Sequence, residues 1–369
     1  MADEHHDPLP ASFRVLGRHE AAAVPELWNS AWQSVTQGHN PYPLSAALWG
    51  ERLESRHHDQ ELLWGGFVAD ELVAVAYGKL PKSDWQTPGV GWLALLAVEP
   101  EVQGRRLGTR LAAHLLRALA ERGATVVKFG GEADHLLPGP PQESAPAVWR
   151  LLRRFGAKFG PAEHDLHLDL RPELPPAPLP AGWRLRTDDP AGAVAYVTDT
   201  FPGRWSEELA DYVASGATAM TLERVAESGT SGSAEVKGFC AVFPGGEPVT
   251  SPGLIWAPSL RSELAANGGQ VSLAGIGPLG ISQEVRGANL GLALVRGAAD
   301  YARRRGATDL IINWTTLTGF YGRLGARLWR TFQRVEAPMP SAATLSQLTE
   351  GVDVDHEPQQ WQEGSADVH

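Results

Sequence analysis

The stretch Ile281–Leu294, ISQEVRGANLGLAL, reads as the end of a strand, a tight turn and the start of a helix. Arg286, Gly287 and Gly291 stand where a backbone has to approach a ligand closely, and Leu290, Leu294 and Ala298 recur at helical spacing. The first turn of such a helix leaves N–H groups pointing out of its N-terminus. The positive end of the helix dipole lies there too, so the geometry suits a phosphate or pyrophosphate. The chain contains the stretch twice. Val98–Leu111, VEPEVQGRRLGTRL, moves onto it by the 183 positions that separate Gly104 from Gly287. The same shift lays Leu107-Gly108 on Leu290-Gly291, and Arg122-Gly123-Ala124-Thr125 on Arg305-Gly306-Ala307-Thr308. One register held over two separated blocks is an internal duplication, and its period is far too long for a solenoid.

Composition agrees with two ordinary domains. The chain has 369 residues, 43% of them hydrophobic and 20% charged, as in a soluble globular protein. No run reaches the length of a membrane-spanning helix, and the acidic, polar start MADEHHDPLP is unlike a signal sequence. Cys240 is the only cysteine, so no internal disulfide forms and a cytoplasmic location is expected. A net charge of −11 argues against a general nucleic-acid partner. It leaves open one anionic cofactor held by backbone groups. No metal site is expected: His5-His6 has no further ligand at suitable spacing.

Along the chain, residues 1–11 read as a disordered leader and 12–170 as a first domain. In the latter a helix near Ala21–Thr36 and another at Leu44–Ser55 precede strands at Leu63–Val68, Leu72–Lys79 and Gly91–Val98. Leu107, Leu111, Leu115 and Leu119 then form an apolar stripe at intervals of four. RPELPPAPLPAG (171–182), with five prolines, is a stiff linker. The pattern restarts over 183–336. From Ala337 to 369 the sequence is polar and acidic, and disorder is expected.

With the motifs in this order, each half resembles the GNAT superfamily of acyl-CoA-dependent N-acyltransferases, together covering roughly residues 12–336. The resemblance implies an α/β (α+β) fold of two tandem domains, each a mixed, mostly antiparallel sheet flanked by helices. The family signature V-x-P-x-x-Q/R-x-x-G-x-G/A holds the pyrophosphate of coenzyme A on backbone N–H groups. The first copy matches through Val98, Pro100, Gln103 and Gly108, with Arg106 at the first signature glycine. The second matches through Arg286 and Gly291, with Asn289 there. Asn tolerates left-handed backbone better than Arg, which favours the second loop. The family's FYxxLGF-like helix carries a Tyr that protonates the departing thiolate, and here reads Phe320-Tyr321-Gly322-Arg323-Leu324-Gly325-Ala326. At the matching first-half positions stand Leu152 for the Tyr, and Gly130 for Asn313, the residue near the pantetheine arm. The resemblance therefore implies that the second half is catalytic and the first degenerate.

On that reading Tyr321 is the general acid. Acetyl-CoA lies along Leu279, Gly280 and Ile281, on the loop Arg286, Gly287, Ala288, Asn289, Leu290, Gly291 and Leu292, and beside Asn313. The corresponding first-half set is Leu96, Val98, Gln103, Gly104, Arg105, Arg106, Leu107, Gly108 and Thr109. Arg204 and Trp205, at a helix junction that often shapes the acceptor pocket, are candidate substrate contacts; an Arg there would favour an acceptor carboxylate or phosphate. No general base stands out. Asp199, Glu207, Glu132, Asp134 and His135 are candidates, against the simpler reading of solvated or strand-end charges. The expected function is transfer of an acetyl group to a primary amine of a small molecule, and the acidic surface leans toward a cationic acceptor. The alternatives are an acyl-CoA-binding sensor without turnover, or an acetyltransferase acting on protein Lys or N-terminal amines.

Overall fold

A computed structural model gives the fold; it describes residues 9–36, 38, 40–225, 234–244, 254–266 and 270–351. The first half runs β1 (Ser12–Val15), α1 (Arg18–Ala21), α2 (Val24–Val35), α3 (Ala46–Glu54), β2 (Leu63–Val68), β3 (Glu71–Lys79) and β4 (Val90–Val98). It continues with α4 (Leu107–Glu121), β5 (Val126–Phe129), α5 (Pro146–Arg154) and β6 (Lys158–Asp169). The second half repeats it with β7 (Trp183–Arg186), α6 (Pro190–Thr200), α7 (Arg204–Ala214), β8 (Thr218–Arg224), β9 (Glu235–Phe243), α8 (Ala257–Ala265) and β10 (Leu273–Ile281). It ends with α9 (Leu290–Arg304), β11 (Asp309–Thr315), α10 (Thr318–Gly322), β12 (Arg327–Pro338) and α11 (Ala342–Glu350).

Among the described residues, twelve strands form one sheet, in the order β1-β2-β3-β4-β5-β12-β6-β11-β10-β9-β8-β7. Only β4/β5 and β10/β11 are parallel. The last strands are exchanged: β12 pairs with β5 of the first half, β6 with β11 of the second, and β6 and β12 pair with each other. Both halves of the chain thus share one sheet.

Strand alternation sorts the core into two faces. Val75, Tyr77, Leu95 and Ala97 pack with Trp28, Trp32 and Trp49 of α2 and α3. Ala74, Ala76 and Leu93 pack with Leu111, Leu115 and Leu119 of α4, all three buried to 0% exposure. The halves also interlock through the segment before α8. Trp256, 4% exposed, donates its indole N–H to the Leu136 carbonyl at 3.1 Å and meets Tyr42 edge-on at 5.4 Å between centroids.

One expectation needs correction. Disorder does not set in at Ala337: Ala337 and Pro338 extend β12 against Val127 and Val126, and α11 follows with a Ser341 cap. Leu345 and Leu348, each 1% exposed, bury α11 against α4, and two leucines in a polar stretch were too little periodicity to predict it. The α8 helix likewise escaped the reading. Of the leader, residues 1–8 lie outside the described residues, and so do 352–369 of the tail and most of the Gly/Ser-rich turn between β8 and β9.

Candidate functional site

In the first half β4 and β5 pair only from Val90–Leu93 against Val126–Phe129. Two local features then part them. On β3, Tyr77 faces Leu95 and Gly78 faces Leu93, so Ala94 is an extra residue, a β-bulge that turns the strand. On the other side the chain leaves β5 through Gly130 and Gly131, at φ +92° and +76°. A Cβ on Gly130 would lie 2.7 Å from the Leu137 carbonyl oxygen and 2.8 Å from Gly139, so this sharp exit requires glycine.

The parted strands bound a cleft enclosing about 1870 Å³ of unfilled space, part of it open to solvent. Glu99 N–H bonds to Val73 on the β3 side, and the Leu93 carbonyl accepts from Gly130 on the β5 side. By alternation the N–H groups of Leu96 and Val98 face the cleft. Consistently, the Val98 carbonyl accepts from the Gln103 side chain at 2.8 Å. At the cleft's end the loop turns through Gly104 (φ +78°) and Arg106 (φ +61°, ψ 5°) into α4. That aims the unpaired N–H groups of Leu107, Gly108 and Thr109 at the same space. Gly108 is close-packed: a Cβ there would meet Val98 at 3.3 Å.

The second loop has the same backbone, with Gly287 at φ +85° and Asn289 at +59°. Arg at this position therefore does not spoil the geometry. A left-handed Arg costs about 1–2 kcal/mol, and its guanidinium is held by the Gly351 carbonyl. What differs is the space beside the loop. The Phe320 ring covers Gly291, 3.5 Å from where a Cβ would sit, with Ile281 at 3.6 Å, and Arg323 donates to Asn289 Oδ1 at 3.0 Å. Tyr321 is 6% exposed among Leu290, Leu294 and Ile276, with Leu279 packed on the same cluster. Burial, with Cys240 nearby, pushes its hydroxyl well above the ordinary tyrosine pKa. Asn313 lies beside Gly277 of β10. The second-half residues do converge around β10, but Phe320 and Tyr321 pack into that convergence.

The acceptor candidates and the candidate bases have partners of their own. Arg204 is sandwiched between Trp85 and Trp314 at 5.6 and 5.4 Å from the ring centroids, and bonds Glu208 and His135. Trp205 packs on Phe201 and Phe239 over Gly280. Glu207 pairs with Arg56 at 2.7 Å, and Asp199 is exposed. Glu132 and Asp134 both bind the buried Lys79 ammonium, Glu132 at 3.0 Å. Burial would raise both carboxyl groups, but the Lys79 charge together with hydrogen bonds from Lys79, from Leu136 N–H to Glu132 and from Ser55 to Asp134 brings both below the ordinary carboxylate range, which makes them poor proton acceptors. Burial and then Arg204 lower the His135 pKa, against Glu208, which favours the charged ring.

Sequence reasoning missed the bulge at Ala94, the tryptophans of α2 that wall the cleft, and Arg150 and Arg154 at its rim. The last pair had a signal, since i and i+4 share a helix face. The bulge had none. Among the described residues, no group of three or more His, Cys, Asp or Glu could hold a metal ion, and no helix is long and apolar enough to cross a membrane.

Residues 23–136, including the bulge, the first loop and most of the cleft, match the Acetyltransferase (GNAT) family. No curated protein matches the chain in sequence. Among solved structures, the glucosamine N-acetyltransferase region of a fungal multi-domain β-N-acetylglucosaminidase superposes with a TM-score of 0.72 at 20% identity. That match covers 89% of this chain, which spans only 38% of the fungal one. A GCN5-related N-acetyltransferase from Sphaerobacter thermophilus gives 0.62 at 18% identity, covering 90% and 98% of the two chains. A tandem GNAT protein from the clavulanic acid biosynthesis pathway gives 0.60 at 17%, covering 90% and 100%.

Proposed function

We propose that this tandem GNAT-superfamily acyltransferase moves an acetyl group from acetyl-CoA to the primary amine of a small molecule, with the thioester received in its first half. The carrying observation is the open cleft between β4 and β5, which ends on the outward N–H groups of Leu107–Thr109. The close approach at Gly108 and the cleft-facing Leu96 and Val98 fit an extended pantetheine arm beside a pyrophosphate. When bound, acetyl-CoA would supply the activated acyl group. The chain's part is to align the arm along Leu96–Val98, to neutralise phosphate charge with Arg106 at the loop, and to exclude water between α2 and α5. This moves the working site from the second half, expected from sequence, to the first.

The test is calorimetric titration with acetyl-CoA of wild type, Gly108→Glu and Gly291→Glu. The expected result is loss of binding in Gly108→Glu alone. A second reading keeps the second half as the site, favoured by the gathering of Tyr321, Asn313 and the Gly291 loop around β10. Loss in Gly291→Glu alone, with turnover abolished by Tyr321→Phe, would establish it. A sensor without turnover would bind acetyl-CoA yet release no free thiol with any amine.

A further inference from the structure

The first-half cleft passes through the sheet, and its two ends differ in chemistry. On the α4/α5 face it is bordered by Arg106, Arg150 and Arg154. On the α2 face its walls are Trp28, Ala31, Trp32, Val35, Leu137 and Pro140. Trp28 and Trp32 cluster with Leu95, Ala97 and Leu137, which places this chamber on the face opposite α4. The Trp28 indole N–H is spent on the Tyr42 carbonyl at 2.7 Å, so that wall offers a ring rather than a donor. Among the described residues lining the cleft, none is Asp, Glu, His, Cys or Tyr. The carboxylates that adjoin the cleft in the chain are engaged: Glu99 accepts from Ser30 at 2.9 Å, Glu143 from the Tyr42 hydroxyl at 2.6 Å, and Glu132 and Asp134 turn to Lys79, Asp134 bordering a separate polar pocket with His57 and Glu207.

From these walls we infer that the acceptor is an aromatic amine of low basicity, received with its ring against Trp28 and Trp32; the inference rests on the acyl-transfer reading above. An alkylammonium ion entering this chamber would shed its hydration between indole and aliphatic walls and, among the described lining residues, find no carboxylate. At pH 7 on the order of one alkylamine in a thousand is neutral, as the lysine pKa shows, and no lining side chain takes the proton from the rest. An aromatic amine is already neutral, and its flat face matches indole walls. Its nitrogen lone pair forms the C–N bond to the thioester carbonyl carbon as the C–S electron pair leaves on sulfur. The proton shed by nitrogen ends on that sulfur, so the products are an amide and a free thiol. No base, oxidant or further reactant is consumed, which accords with Leu152 at the position of a tyrosine acid.

Free-thiol release from acetyl-CoA, followed with 4-ethylaniline, spermidine and glucosamine, tests this. The aniline is expected to give the highest kcat/KM by about tenfold or more, constant from about pH 6.5 to about 9 because no group of the site titrates in it. Trp32→Ala is expected to raise the aniline KM about tenfold through lost ring contact, with the acetyl-CoA Kd unchanged. Because that truncation could disturb folding, Val35→Glu serves as a second variant: a carboxylate on the partly exposed end of α2 should shift preference toward spermidine. Spermidine or glucosamine leading in the wild type would overturn the inference, as would two silent variants. A preference for octanoyl-CoA abolished by Val35→Trp would assign the chamber to the acyl chain and overturn it as well. Absence of acetyl-CoA binding in calorimetry would instead remove the acyl-transfer reading itself.

Discussion

Gly130→Ala is the sharpest test of how the cleft is held open. At φ +92° a residue with a Cβ costs about 1–2 kcal/mol. The added carbon would lie 2.7 Å from the Leu137 carbonyl oxygen and 2.8 Å from both the nitrogen and Cα of Gly139. These are backbone atoms that cannot swing aside, and overpacking of that kind costs about 1–3 kcal/mol more. The total is about 2–5 kcal/mol. Gly156→Ala is the control, since Gly156 also has a positive φ, +69°, but nothing lies within 4 Å of its would-be Cβ. It should lose only about 1–2 kcal/mol. Urea unfolding of wild type and both variants measures the two losses, and titration with acetyl-CoA measures the consequence for the cleft. The backbone has to move in Gly130→Ala, so its affinity should fall while that of Gly156→Ala stays at the wild-type value. Equal destabilisation by the two substitutions, or unchanged affinity in Gly130→Ala, would refute the claim that close backbone approach at Gly130 shapes the site.

Other perturbations have definite expected outcomes. Lys79→Met leaves the carboxylates of Glu132 and Asp134 buried without a counter-charge, and should cost about 3–5 kcal/mol in urea unfolding; a loss below 1 kcal/mol would mean that water reaches the pair. Asp165, 3% exposed, has its carboxyl pushed up by burial to about 7, against the Trp314 N–H and Arg330, which favour the charge. Its folded pKa lies above its unfolded one, so the unfolded state ionises first and stability is lost as pH rises from about 4 to about 7, then levels off. Asp165→Asn should remove that slope and be the more stable form at pH 8; parallel curves for the two proteins would show that Asp165 is already ionised in the fold.

Local features were legible in sequence because they rest on short-range chemistry. The helix of Leu107–Glu121 follows from leucines every fourth residue, and the two loops follow from Gly104 and Gly287, both at positive φ. Arg106 shows where local preference misleads. Its left-handed conformation is improbable for an arginine by itself, and here the Gly351 carbonyl, 245 residues away, holds its side chain. The motif at Tyr321 was equally readable, yet its matching helix does not report whether the space beside it is open; that depends on Phe320 packing over Gly291.

The sequence by itself determined that the chain is duplicated, that each copy carries a strand, an anion-suited turn and a helix, and that both copies resemble the GNAT superfamily. These are properties of residues close in the chain, where propensity, periodicity and turn chemistry act. Only the tertiary structure decided that the halves exchange their last strands, that Glu132 and Asp134 are spent on Lys79, and that the cleft opens in the first half. Each of those outcomes depends on competition for space and partners among residues distant in sequence, and the relative energies of such contacts exist only once the backbone has brought them together.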